Sequence, residues 1–198
     1  MDTVASADGT VIAFDRYGDG PPVIMTVGAF STRSQTEPLA KALAPLFTAL
    51  NYDRRGRGDS GDSTPYSVER EIDDIAALIG QAGGSASVFG HSSGATLALH
   101  AAAAGLPITH LLLYEPPFNT GGNSPALPAG FAGELAGLVS AGRRGDAVEL
   151  YQTQAVGIPQ EVVAQMRHAP FRPALEAVAH TLAYDAAIIG DRSGRAHV

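Results

Sequence analysis

A chain of 198 residues, 45% of them apolar, is long enough to close one well-buried core, and no change of composition divides it cleanly in two. The net charge of −7 excludes a phosphate-binding stripe, because the thirteen Lys and Arg are scattered and only Arg54, Arg55 and Arg57 cluster. Cysteine is absent, which excludes disulfides and thiolate metal sites, and no run approaches the ~18 apolar residues of a membrane span.

In chain order, Thr3 to Ser6 and Val11 to Tyr17 read as a hairpin around Asp8-Gly9, a dipeptide that supplies the positive φ angles of a tight turn. Val23 to Val27 is a short apolar run without alternation, as expected of a strand buried on both faces, and Gly28-Ala29-Phe30 follows at once. Thr36 to Leu46 carries Leu39, Ala42, Leu43 and Leu46 at helical spacing. Phe47 to Tyr52 returns to strand character before the loop Asp53 to Ser60. Ser67 is positioned to cap a helix reaching about Gln81, with Val68, Ile72, Ile75 and Ile79 on one face and Glu69 to Asp74 placing carboxylates near its start. The run Ala86 to Phe89 is the next strand, Ala95 to Ala104 a small-residue helix, and Ile108 to Tyr114 a sixth strand. Strands alternating with helices predict an α/β fold with a mostly parallel sheet.

Between the fifth strand and its helix stands Gly90-His91-Ser92-Ser93-Gly94. A G-x-S-x-G at a strand-to-helix turn needs its two glycines because the backbone doubles back, and a Cβ at either would meet the neighbouring strand or helix. Ser92 would then stand exposed at the C-terminal edge of the sheet, at the start of a helix whose dipole favours a developing oxyanion.

After Glu115-Pro116-Pro117-Phe118, the stretch Asn119 to Gly130 is rich in Pro, Gly, Ser and Asn and breaks the alternation. Beyond it the pattern is helical only: Phe131 to Leu138, Asp146 to Val156, Gln160 to Arg167, and a longer helix marked by Leu175, Val178, Ala179, Leu182, Ala186 and Ile189. The organisation expected is a core over 1–118, a helical cap over 119–190 forming one wall of a pocket, and an unpatterned tail over 191–198. Met1-Asp2-Thr3 lacks the basic start of a signal peptide, so the default expectation is a soluble, cytoplasmic protein without nucleic-acid or membrane partner, metal or cofactor.

Three pieces in order, namely Gly28-Ala29-Phe30 after the third strand, Asp53 to Ser60 matching D-x-R-G-x-G-x-S, and the elbow at Ser92, make the chain resemble the α/β-hydrolase superfamily over roughly residues 3 to 190. The resemblance implies Ser92 as nucleophile, the backbone N–H groups of Ala29 and Ser93 as oxyanion hole, and acyl transfer from a small ester, thioester or amide. Val27 stands before Gly28 where such chains more often have His, a change in pocket polarity rather than chemistry. The family order is Ser, acid, His, with the His after an eighth strand, and no residue here occupies that position.

The available histidines read as structural. His91 flanks the elbow, His100 lies eight residues along a helix, or ~12 Å at ~1.5 Å per residue, His110 begins a strand, His168 and His180 fall in the cap, and His197 in the tail. Glu115, directly after the sixth strand, is a candidate triad acid; a solvated carboxylate opening a Pro-Pro turn, with the acid beyond the C-terminus, is the other reading. Asp53 and Arg55 read as holding their own loop. The chain therefore reads as a shortened hydrolase lacking its last strands, with Leu111 to Leu113 on an exposed edge that favours self-association. A pseudo-enzyme or small-acyl binder without the base is the alternative, and cofactor-free peroxidation shares every motif.

Overall fold

The expected hairpin forms as β1 (Asp2–Ala5) and β2 (Val11–Tyr17), paired antiparallel with Thr3 opposite Ala13 and Val4 opposite Ile12. Its turn is closed by the Ser6 N–H bonding to the Thr10 carbonyl at 2.8 Å, with Gly9 at φ 83°. The computed structural model describes residues 1–118 and 126–190, in two units, one running from Met1 to Pro117 and one beginning at Phe118. The expected tail over 191–198, and with it His197, lies outside the described residues, as does 119–125 of the Pro/Gly-rich stretch.

In the first unit the remaining strands are β3 (Pro22–Thr26), β4 (Thr48–Tyr52), β5 (Ala86–His91) and β6 (Ile108–Tyr114). They make one sheet in the order β1-β2-β4-β3-β5-β6, in which β2 meets β4 antiparallel and β4, β3, β5 and β6 run parallel. The helices α1 (Arg33–Leu43), α2 (Val68–Gln81) and α3 (Ser93–Ala103) connect the parallel strands. Helices flanking the central strands bury them on both faces, which is why β3 and β4 carry apolar runs without alternation. Ile24, Met25, Leu50, Tyr52, Ile75, Leu78, Val88 and Leu97 are fully buried between sheet and helices. Burial pushes the Tyr52 phenol well above its ordinary pKa.

Two expectations for this unit need correction. The first helix begins at Arg33, three residues before Thr36, because the Gln35 side chain turns back to accept the Thr32 N–H at 2.7 Å and so organises an earlier start. Ser67 does occupy the N-cap of α2 with extended backbone, but its side chain makes no capping bond. At the other margin, β6 is an edge strand among the described residues, with Leu112, Leu113 and Tyr114 exposed.

The described part of the second unit has helices joined by turns and no strand: α4 (Phe131–Ser140), α5 (Arg144–Leu150), α6 (Gln160–Gln165), α7 (Arg172–Ala177) and α8 (Leu182–Ile189). The piece expected over Asp146 to Val156 changes geometry midway, from α5 to a π-helical turn at Tyr151–Val156. Thr153 Oγ1 donates to the carbonyls of Glu149 and Leu150 at 2.9 and 3.1 Å, taking acceptors the helix would otherwise use. The long helix expected across Leu175 to Ile189 is broken at Val178. Arg144 donates from Nε to the Glu176 carbonyl and from Nη2 to the Ala177 carbonyl, both at 2.7 Å, and those are the acceptors a continued helix would offer to residues 180 and 181. No helix among the described residues is long and apolar enough to cross a membrane.

Candidate active site

Ser92 joins β5 to α3 with φ 54° and ψ −124°, a conformation that costs a residue bearing a Cβ roughly 1–3 kcal/mol and persists only where the surroundings impose it. The surroundings are close-packed backbone. A Cβ on Gly94 would lie 2.7 Å from the Val27 carbonyl oxygen and closer still to that of Thr26, at the end of β3. One on Gly90 would lie 2.7 Å from the Gly94 carbonyl oxygen. The glycines therefore do what the sequence pattern requires of them, one clearing the strand and the other the helix. On the opposite side, the Ser92 N–H donates to the Tyr114 carbonyl at 3.0 Å, tying the turn to the end of β6.

Gly28-Ala29-Phe30 lies directly against this turn. A Cβ on Gly28 would come within 2.9 Å of Ser92 Cβ and 3.4 Å of Ser92 Oγ, so only glycine lets the loop approach so near the hydroxyl. Phe30 holds φ 63°, a second strained residue beside the first. Among the described residues nothing accepts a hydrogen bond from the Ala29 N–H. Ser93 is the first residue of α3 and is fully buried, so its N–H belongs to the turn of the helix whose amides have no acceptor within the helix itself. Ala29 thus follows the glycine that approaches Ser92, and Ser93 opens the helix that follows it.

The loop after β4 is built from buried charge. Arg54 makes a two-point bond to Glu71, Nε to Oε2 and Nη2 to Oε1 both at 2.7 Å, and Arg55 makes the equivalent pair with Asp74 at 2.8 and 2.6 Å. The Asp53 carboxylate accepts the N–H groups of Arg33 and Asp59 at 2.7 and 3.0 Å and pairs with the Arg33 guanidinium, which also reaches Asp15 and Asp59. Burial works against the charge on Arg33, but its bonds to Asp59 and Asp15, with the field of Asp53, raise its pKa above the ordinary guanidinium value. Two arginines of the loop after β4 also hold the Gly28 loop: Arg54 Nη1 donates to the Val27 carbonyl at 3.1 Å and Arg57 Nη1 to the Gly28 carbonyl at 2.6 Å.

Sequence reasoning missed this framework, and Asp53 and Arg55 reach well beyond their own loop. A signal was present. Glu71, Asp74, Ile75 and Leu78 share one helical face by their spacing of three and four, so the two carboxylates had to be buried with the isoleucine and leucine and needed cationic partners.

Glu115 follows β6 with φ 49°, next to the residue whose carbonyl holds Ser92. Its backbone is therefore at the site, while its carboxylate is exposed and makes no hydrogen bond or ion pair among the described residues. The histidines of this unit point to structural roles. The His91 ring lies against Tyr114 with centroids 5.6 Å apart, and His110 Nδ1 is 3.4 Å from Ser87 Oγ, near the start of β5, the end opposite Ser92. His100 sits two turns down α3. No described residue hydrogen-bonds Ser92 Oγ. In the second unit His180 Nδ1 is 3.1 Å from Arg144 Nη2, and His168 ends a 3₁₀ turn.

A family model described as the alpha/beta hydrolase family matches residues 23–195. The chain belongs to that family. An alpha/beta hydrolase from Sphaerobacter thermophilus, of known crystal structure, is 57% identical and superimposes with a TM-score of 0.90 over 97% of this chain and 75% of its own. Among curated proteins, N-formylmaleamate deformylase of Pseudomonas putida is 35% identical over 117 residues, 57% of this chain and 44% of that protein. The sn-1-specific diacylglycerol lipase ABHD11 of Danio rerio is 30% identical over 102 residues, 50% and 32% respectively. This hydrolase chain thus spans less than half the length of those two curated relatives.

Proposed function

We propose that this alpha/beta hydrolase cleaves a small ester, thioester or amide by acyl transfer to Ser92. The observation that carries the reading is the strained Ser92 backbone pinned between the Gly28 loop and the Tyr114 carbonyl. In the reaction Ser92 Oγ bonds to the acyl carbon, and the carbonyl electron pair moves to an oxygen held by the N–H groups of Ala29 and Ser93. Collapse expels the alcohol, thiol or amine, which leaves with the serine proton, and water then releases the acid. Preorganised donors of this kind are worth about 10² to 10³ in turnover for each one. Glu115 is the triad acid in this reading, supported by its positive φ at the sheet end beside Ser92. The names of the two curated relatives, a deformylase and a lipase, both denote removal of an acyl group, and they support the reaction class.

A second reading rests on one observation, that no described residue hydrogen-bonds Ser92 Oγ. A chain that keeps the elbow without a base binds acyl ligands with turnover lower by about 10⁶, the loss seen when a serine protease loses its histidine or serine. Fluorophosphonate labelling with mass spectrometry, alongside turnover of p-nitrophenyl esters, decides between them. Labelling at Ser92 that Ser92→Ala abolishes, together with turnover, is the expected result. Ester binding without turnover selects the binder, and a folded chain that takes no label overturns the serine nucleophile.

A further inference from the structure

We infer that Arg57 is a positioning residue of the oxyanion hole, aiming the Ala29 N–H at the oxygen that develops on the substrate. The inference rests on the serine-hydrolase reading above. Arg57 stands in the loop after β4, is 2% exposed, and sends Nη1 to the Gly28 carbonyl at 2.6 Å and to the Ser31 carbonyl at 3.3 Å. The Gly28 carbonyl and the Ala29 N–H belong to one peptide group. In a planar trans peptide they point in opposite directions, so a cation that fixes the carbonyl fixes the N–H as well.

The anchor has work to do because Gly28 is the residue before that peptide. Without a Cβ its backbone rotates freely, and the same glycine that lets the loop approach Ser92 Oγ would let the peptide plane turn over. The neighbouring peptide is gripped too, by Arg54 Nη1 on the Val27 carbonyl, so successive carbonyls are drawn toward the arginine loop. The Ala29 N–H is left without an acceptor among the described residues, as a donor reserved for a ligand would be. A buried guanidinium on the carbonyl also polarises the peptide and strengthens its N–H as a donor.

A merely structural arginine would satisfy the same carbonyls and lower stability when removed, without altering the chemistry of chains that remain folded. Arg55 supplies that comparison. It is as buried as Arg57 but bonds to Asp74, Asp8 and the Arg70 carbonyl instead of the oxyanion loop.

The test uses the full chain and a fluorophosphonate, whose phosphoryl oxygen gains negative charge as Ser92 Oγ bonds to phosphorus and before fluoride leaves. In Arg57→Met the limiting rate of Ser92 labelling falls at least about tenfold, a fraction of the 10² to 10³ for a deleted donor, with the half-saturating concentration unchanged. Arg57→Lys, which keeps a donor and a charge, recovers part of the rate and covers the case in which Arg57→Met does not fold. Arg55→Met, measured on its folded fraction, labels at the wild-type rate. Equal labelling rates in folded wild type and Arg57→Met overturn the inference and leave the hydrolase reading standing. Absence of labelling in folded wild type overturns the hydrolase reading, and the amide resonance of Ala29 then decides this one. Its ¹H and ¹⁵N shifts move in Arg57→Met and stay in Arg55→Met if Arg57 sets the peptide, and an unmoved Ala29 resonance rejects it.

Discussion

The two units of the chain differ in how deeply they bury their charge pairs. In the first, Arg54, Arg55 and Arg57 are buried with Glu71 and Asp74, and their bonds cross from the loop after β4 to α2 and to the Gly28 loop. In the second, the pairs Arg143–Asp146, Arg167–Glu149 and Arg172–Glu176 each keep one partner at 38% exposure or more, and a single buried arginine, Arg172, also reaches the half-buried Glu149. Buried pairs are demanding. Taking charge out of water costs several kcal/mol per ion in real proteins and is recovered only by near-ideal geometry, so such a network tolerates very few arrangements of the backbone it holds. Exposed pairs are forgiving, and many contribute little. The unit that carries the proposed oxyanion hole is the one that uses the demanding kind.

That contrast can be broken first at Glu71. Glu71→Ala leaves Arg54 buried without its carboxylate, and the expected loss is about 3–5 kcal/mol, read from urea unfolding. The double change Arg54→Met with Glu71→Leu removes both charges and recovers most of that stability, which separates the penalty of an orphaned ion from any net value of the pair. A Glu71→Ala chain as stable as wild type would show that the framework is not holding the fold.

A smaller effect is expected from pH at Asp8. Hydrogen bonds from Thr10, then Ser63 and Arg55, hold its carboxyl well below the ordinary value of 3.8, against a weaker opposing effect of burial. The folded value lies below the unfolded one, so the stabilisation is complete above about 3.8 and is lost as pH falls from there toward the folded value. Asp8→Asn removes that part of the acid dependence and flattens the plot of urea midpoint against pH in this window. The smallest effect is expected in the second unit. Arg167→Ala breaks a pair whose arginine is 56% exposed and which keeps Arg172 on the same carboxylate, and its unfolding midpoint by thermal melting stays with the wild type.

Much of the first unit was legible in the sequence because its signals are local. The Asp8-Gly9 turn, the apolar runs of β3 and β4, and the G-x-S-x-G between strand and helix each state a backbone requirement that a few neighbouring residues impose. Less legible were the arginine partners, separated in sequence by about the length of a strand–helix unit. The second unit fared less well for the same reason. Leu175 to Ile189 has helical spacing throughout, and the break at Val178 is set by Arg144, more than thirty residues away, taking two carbonyls that local pattern assigns to the helix. For the candidate site, Gly28 brings its loop against Ser92, whereas Glu115 brings its backbone to the end of β6 and leaves its carboxylate in water.

The bond from the Ser92 N–H to the Tyr114 carbonyl makes β6 more than a margin of the sheet. One long side of this strand carries the elbow and the other, among the described residues, is open, a separation of a single strand, about 4.8 Å. Whatever pairs with the open side therefore acts on Ser92 through one intervening backbone, so the stiffness of its turn is set partly from outside it, by the occupancy of a sheet edge.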